Sequence, residues 1–418
     1  MKTKAVRLYG KNDLRLEEFD LPALKDDEIL ARVVTDSLCM STYKAAKLGS
    51  DHKRVPNDIA QNPVIVGHEL CGEIIEVGSK WKSQFKAGMK FSVQPSLGAA
   101  TFDAAGYSFQ WFGGNITYAI IPNIYMENNC IFEYNGEGFF PGSLSEPYSC
   151  VIGTYKAHYH TQDGLHMHHM GIKHGGNMAL IAAAGPMGLA ALDCIVNSTR
   201  KPSLLVVTDI DDSRLNRIKT LITPEKAKEN GIELVYLNTK DIEVKSKMLS
   251  YTDNKGFDDV LVFAPVKPVV EVADSILAKD GCLNFFAGPA DTAFKAEMNF
   301  YNIHYNATHV VATNAGNTED LKDALDMLGS KKLNSSFLIT HIGGLNAVVE
   351  STMNLPNLPG GKKLIYTNLN LPLAAIEDFG KLGNQSQLFK QLDIITQKHK
   401  GLWSVEAENY LLEHGDKI

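Results

Sequence analysis

Residues 179–192 read ALIAAAGPMGLAAL, an apolar run that tightens into A-A-G-P-M-G at 183–188 and then resumes as small apolar residues. The spacing predicts a strand, a tight turn and the start of a helix, a variant of the GxGxxG turn that cradles a dinucleotide pyrophosphate. In this reading Gly185 lets backbone approach the phosphates, Pro186 and Met187 open the helix, and Gly188 lets helix and strand pack closely. The helix N-terminus supplies partial positive charge. Ala183 stands in place of the first glycine.

Asp209 closes the run LLVVTD and follows Gly188 by 21 residues, where a carboxylate can accept hydrogen bonds from an adenosine ribose. Together with Asp211 and Asp212 it would repel a 2'-phosphate, so NAD is favoured over NADP. Arg214, able to flank an adenine or reach a 2'-phosphate, keeps NADP as the minority reading.

Outward from the turn, apolar strands alternate with helix-sized segments: MALIAAA, LLVVTD, LVYLN, DVLVFA, CLNFFAG and HVVATN. Six such strands predict a doubly wound parallel sheet. Upstream the texture is short β-type runs punctuated by glycine (AVRLYG, EILARVV, CGEIIEVG, KFSVQP, ITYAIIP), which predicts a β-rich domain. Downstream, helices and loops return. The expected organisation is therefore α/β, with a β-rich domain over 1–153, a cofactor-binding domain over 154–314 and a segment 315–418 that rejoins the first domain.

Composition narrows the function classes. The 418 residues carry 48 acidic against 41 basic side chains, a net charge of -7 without a long single-sign run, which argues against a nucleic-acid partner. The longest apolar run, around 178–192, is broken by Gly185, Pro186 and Gly188 and followed by Asp193, which argues against a membrane span. The six cysteines form no CxxC pair, so neither a disulfide framework nor a four-cysteine zinc knot is expected. With no signal-peptide pattern at the N-terminus, the reading is a soluble, cytoplasmic chain with reduced thiols. The segment HYHTQDGLHMHHMGIKH (158–174) holds six of the 13 histidines; Gly164 and Gly171 interrupt it, and it reads as a polar connecting loop.

The segment VIVGHELCGEIIEVG (64–78) places a His68–Glu69 pair 29 residues after Cys39. Thiolate, imidazole and carboxylate form the ligand set that zinc accepts when one position stays open for substrate. Glu146, in LSEPYSC, is a further acidic candidate. Each has an ordinary alternative: a small buried hydrophobe for Cys39, a hydrogen-bonded strand residue for His68, a helix-start carboxylate for Glu146.

These residues resemble the zinc-dependent medium-chain dehydrogenases/reductases, whose signature GHExxGxxxxxG is matched by Gly67, His68, Glu69, Gly72 and Gly78. The resemblance spans nearly the whole chain, including GGNITYAIIP, the A-A-G-P-M-G turn and the stretch from GFDDVLVFAPV to CLNFFAG. It implies a GroES-like β-rich catalytic domain and a Rossmann cofactor domain. It places Cys39 and His68 on the catalytic zinc ligands, Glu69 and Glu146 on positions that bind zinc or hold its water, and Ser41 on the hydroxyl that passes the alcohol proton. Zinc would polarise a carbonyl while hydride moves directly between nicotinamide and carbon.

Departures from the pattern carry expectations of their own. Residues 94–115, QPSLGAATFDAAGYSFQWFGGN, replace a four-cysteine lobe, so one catalytic zinc per chain and no structural zinc are expected. Met40 replaces a glycine, Trp81 a small or aliphatic residue, and Lys44 occupies the place of a relay histidine. NIHYNATHVVATNAGNTEDL, THIGGLNAV and NLPNLPGGKKLIYTNL look most like family members that interconvert L-sorbose 1-phosphate and D-glucitol 6-phosphate. That likeness implies a sugar phosphate substrate, for whose phosphate Lys44, Lys53, Arg54 and His304 are candidate partners; Lys44 either meets the phosphate or replaces the relay histidine. The alternatives are a polyol or alcohol dehydrogenase acting on an unphosphorylated substrate, and a catalytically silent nicotinamide-binding protein. A homo-oligomer, dimer or tetramer, is expected.

Overall fold

The computed structural model describes residues 1–98, 101–162 and 165–418, the side chain of residue 165 excepted. They form two compact units, Met1–Glu146 with Asn317–Ile418 and Pro147–Gly316.

In the second unit six strands lie in the order Glu233–Asn238, Leu204–Asp209, Asn177–Ile181, Phe257–Val262, Leu277–Phe285, His309–Val311, and every neighbouring pair is parallel. The six strands predicted from the apolar runs are all present, in the doubly wound order of a Rossmann sheet. Leu204–Asp209 and Phe257–Val262 are buried at every position, as continuous apolar strands are when both faces of a parallel sheet are covered. The chain reverses its direction of winding between Asn177–Ile181 and Phe257–Val262. The turn after Ile181 lies at the carboxyl end of the strand beside that reversal, where such sheets bind ligands.

In the first unit a seven-strand path runs Ala374–Ala375, Ile339–Gly344, Lys362–Tyr366, Ile29–Ser37, Leu70–Val77, Lys90–Val93, Ile131–Glu133, and Tyr118–Ile121 adds to Ile29–Ser37. Lys362–Tyr366, from the chain's last quarter, pairs antiparallel with Ile29–Ser37, with Leu364 opposite Ser37 and Tyr366 opposite Thr35. A core of Ile29, Ala31, Val33, Ile65, Leu70, Ile74, Phe91 and Phe112, each almost fully buried, fixes the register of these strands, because a one-residue slip would turn the apolar set outward. The fold is thus α/β, a GroES-like β-rich unit and a Rossmann unit. No helix among the described residues is long and apolar enough to cross a membrane.

The histidine-rich segment is not a loop. Tyr159–Gln162 and Leu165–Met170 pair as a small antiparallel hairpin, and His158 and His160 are buried. Asp259 Oδ1 lies 2.6 Å from His158 Nδ1 and 3.1 Å from His160 Nε2. Gly164 lies outside the described residues.

Candidate functional site

Cys39, His68 and Glu69 come together in the first unit, with one candidate ligand atom from each lying within 4.8 Å of the others. Cys39 follows the strand Ile29–Ser37 and stands at the N-cap of the helix Met40–Leu48. Ser41, in the first turn, reaches back: its Oγ donates to Cys39 Sγ at 3.0 Å and lies 3.2 Å from His68 Nε2. The loop carrying His68 depends on Gly67, whose φ is +91° and whose added Cβ would fall 2.2 Å from Asn115 Nδ2. No side chain fits there, so the glycine lets Gly114 and Asn115 pack against the backbone beside His68.

His68 Nδ1 lies 3.3 Å from both Thr42 Oγ1 and Tyr107 Oη. Burial holds the imidazole below its ordinary pKa, which favours the neutral form that binds metal. Burial and the Glu69 carboxylate push the Cys39 thiol up, so thiolate at this position needs a cation beside it. The donor set therefore fits zinc: a thiol, a neutral imidazole and a carboxylate, half-buried or buried, with hydroxyl groups orienting the imidazole.

Glu69 is held from both sides. One carboxylate oxygen accepts from Ser37 Oγ and the other from Lys362 Nζ, while its backbone N–H donates to Asp36 Oδ1 at 3.0 Å. The Lys362 and Glu69 side chains are only 6 % and 1 % exposed. Burial and the Glu69 charge push the Asp36 carboxyl well above the usual carboxylate range. The ion pair with Lys362 is accordingly the main charge compensation Glu69 has. None of Asp36, Ser37, Thr42, Tyr107 and Lys362 was a sequence candidate.

Glu146 lies in the first turn of the helix Ser145–Ala157, close enough for its charge to act on His68 but outside the tight three-residue group. Burial pushes its carboxyl up to about 7. Lys44 lies on the helix Met40–Leu48, and its charge, with those of Arg54 and Lys53, adds to burial in lowering the pKa of His52. His52 stacks on Tyr107 with ring centroids 5.4 Å apart, a contact not foreseen from sequence. Arg54 donates to Phe102 O at 2.9 Å and to Ser96 Oγ at 3.3 Å, pinning the segment that replaces the cysteine lobe. Lys53 is exposed, and His304 is exposed on the helix Phe300–Tyr305 of the second unit.

In the second unit the helix Pro186–Val196 begins on Gly185 as N-cap, with Pro186 at the first position. An added Cβ on Gly188 would fall 2.0 Å from Ala183 O, whereas one on Gly185 would meet nothing within 4 Å. Gly188 is thus required by strand–helix packing, while the backbone at Gly185 faces open space; Met187 is half-buried beside it. Asp209 closes on this turn: its Oδ2 accepts from Ala184 N at 2.9 Å, and its Oδ1 from Ile210 N at 2.8 Å and Asp211 N at 3.2 Å. Arg214 Nε lies 3.6 Å from Asp211 Oδ2.

Comparison with known proteins places the chain in a family. Residues 25–126 match the alcohol dehydrogenase GroES-like domain and residues 204–330 the zinc-binding dehydrogenase domain. The chain is 48 % identical over 416 residues to mannitol-1-phosphate 5-dehydrogenase of Aliivibrio fischeri, covering 99 % of this chain and 98 % of that one. It is 45 % identical over 417 residues to L-sorbose 1-phosphate reductase of Klebsiella pneumoniae, covering 100 % and 98 %. Among solved structures, 2R,3R-butanediol dehydrogenase of Bacillus subtilis superposes with a TM-score of 0.69 at 19 % identity, over 87 % of this chain and 99 % of that one, a likeness of fold.

Proposed function

This chain belongs to the zinc-binding dehydrogenases of the medium-chain dehydrogenase/reductase family, an oxidoreductase, and from that premise we propose that it transfers hydride between a nicotinamide cofactor and a hexitol or ketose phosphate. L-sorbose 1-phosphate and D-glucitol 6-phosphate are the pair we favour. The observation that carries the reading is the Cys39–His68–Glu69 group with the Ser41 hydroxyl set between thiol and imidazole. A silent nicotinamide-binding protein would have no use for it.

Cys39 and His68 would hold zinc, together with a carboxylate from Glu69 or Glu146. When bound, zinc stabilises negative charge developing on the substrate oxygen, and nicotinamide accepts or gives the hydride. The chain's own groups do the rest. Ser41 Oγ, within hydrogen-bonding distance of Cys39 Sγ and His68 Nε2, relays the alcohol proton in oxidation, accepting it as its own hydroxyl proton passes on toward solvent, and runs the same relay in reverse in reduction. Thr42 and Tyr107 fix the ring of His68 from its Nδ1 side. The Gly185–Gly188 turn receives the pyrophosphate and Asp209 lies beside it. Asp209, Asp211 and Asp212 would repel a 2'-phosphate, which supports NAD, while Arg214 keeps NADP as the minority reading. Lys44 meets the substrate phosphate or stands in for the relay histidine, with Lys53 and Arg54 adding positive charge nearby.

The phosphorylated substrate rests on two relatives of near-identical length named for sugar phosphates. The higher identity to the mannitol-1-phosphate enzyme favours D-mannitol 1-phosphate as the second reading. A phosphorylated substrate fits work in the cytoplasm. The exposed Phe300, Tyr301 and Tyr305 just before the edge strand His309–Val311 form an apolar surface of the sort that subunit contacts cover, in line with a homo-oligomer.

The test is kcat/KM of the zinc-loaded protein with D-glucitol 6-phosphate, D-mannitol 1-phosphate and D-glucitol, each with NAD and with NADP. A preference of at least about a hundredfold, roughly 2.7 kcal/mol, for one phosphate over D-glucitol is expected. Comparable turnover of D-glucitol would overturn the phosphate reading.

A further inference from the structure

A cavity of about 490 Å³ opens in the first unit away from the metal group, lined by residues that include Lys2, Lys4, Glu18, Arg32, Tyr118 and Lys417. Four cationic side chains, Lys2, Lys4, Arg32 and Lys417, thus share one wall system with a single acidic side chain, Glu18. This concentration of positive charge stands out in a chain of net charge -7.

The local pairing leaves the cations incompletely satisfied. Lys2 takes Glu18 at 2.8 Å, and Lys4 is left 3.9 Å from the same carboxylate. Arg32 gives one terminal nitrogen to Glu73 at 2.8 Å, but its Nε is buried with no hydrogen-bond partner. The Lys417 ammonium donates to Leu412 O, and burial and the nearby Arg32 charge both lower its pKa. Like charges held together beside an open cavity, with a desolvated donor unpaired, are an unfavourable arrangement that an anion relieves.

We propose that this cavity is an anion site, separate from the metal group, that takes one small organic phosphate. With Glu18 and the Glu73 that pairs with Arg32 set against the four cations, the excess is about two charges, which a phosphate monoester supplies in a single group at neutral pH. A bare phosphate would leave most of 490 Å³ unfilled, so a phosphorylated metabolite suits the space better. Arg32 and Val34 belong to the strand Ile29–Ser37, whose far end carries the Ser37 hydroxyl that holds Glu69. The cavity therefore meets the middle of the strand that ends at the metal group, roughly 10–16 Å away along it.

Calorimetric titration with inorganic pyrophosphate tests the site at low salt with the dinucleotide turn saturated by NADH, on wild type, Lys44→Ala, Lys4→Gln, and Lys4→Gln/Lys417→Gln. The expected result is one saturable event per chain that persists in Lys44→Ala, weakens in Lys4→Gln and weakens at least about tenfold in the double variant, near 1.4 kcal/mol. Citrate run in parallel separates phosphate from carboxylate chemistry. Equal affinity in wild type and the double variant, no saturable binding in wild type, or binding abolished by Lys44→Ala would overturn the proposal; citrate binding as tightly as pyrophosphate would overturn the phosphate class.

Discussion

Replacing Lys362 by methionine removes the cation that faces Glu69 while keeping most of the side-chain volume. Lys362 and Glu69 are 6 % and 1 % exposed, Asp36 is buried beside them, and the thiol of Cys39 is near enough to feel the same charges. The variant therefore leaves a carboxylate without its counterion in a pocket that water scarcely reaches. Breaking a buried pair from one side costs about 3–5 kcal/mol, and screening by solvent gives little discount here. We expect urea unfolding of the metal-free variant to report a loss in that range at about pH 7.5.

The pH dependence follows from Lys362, whose folded pKa is raised above the ordinary 10.5. A raised folded pKa contributes stability that is fully present below the ordinary value and fades as pH rises through the folded one. The gap between wild type and variant should thus stay constant between about pH 7 and 9. Converting Glu69 to glutamine in the same chain removes the stranded charge and should recover at least about 2 kcal/mol, a coupling only neighbours in contact show. Zinc added to Lys362→Met should narrow the gap by restoring positive charge. A loss below about 1 kcal/mol, the level of an exposed pair, or no recovery in the double variant would refute the reasoning.

Ser41→Ala removes the hydroxyl between Cys39 and His68 and should lower kcat by about 10²–10⁴-fold with zinc content unchanged, as elemental analysis would check. Gly188→Ala drives a methyl to 2.0 Å from Ala183 O and should destabilise the second unit by about 1–3 kcal/mol. Gly185→Ala meets no atom within 4 Å, so it should melt like wild type yet bind NADH more weakly by fluorescence titration. Asp259 is lowered below the ordinary 3.8 and His160 raised above the ordinary 6.5. The first contributes stability that is lost toward acid and the second stability that is lost as pH rises through the folded His160 value. Melting temperature should plateau between about pH 4 and 6.5 and decline above it; Asp259→Asn should flatten that profile, and an unchanged profile would show that the pair does not carry it.

The Rossmann sheet was legible because its information is local. Period, strand length and two glycines suffice, and Gly188 sits against Ala183 for the packing reason the spacing suggested. The cysteine, histidine and glutamate of the metal group were legible through the family resemblance of the GHE segment, since a thiol 29 residues before it does not by itself make a site. What escaped is what long-range contact decides. Lys362 begins KKLIY, and nothing in that run names its partner: Glu69 is 293 residues away, and the burial of the whole strand shows only in the fold. Residues 94–115 read as a lobe that had lost its cysteines, but Tyr107 and Asn115 from this segment pack on His68 and Gly67. The hairpin histidines read as a loop because Asp259, which gathers them, lies 101 and 99 positions on.

The return of Lys362–Tyr366 to the edge of Ile29–Ser37 also sets an order in time. When the ribosome has made Cys39, His68 and Glu69, the lysine that balances them is still 293 residues from synthesis, roughly 15–60 s at ordinary elongation rates. During that interval Glu69 has no lysine to balance it. The charge balance of the site is therefore set only when Lys362–Tyr366 has been made and has paired with Ile29–Ser37.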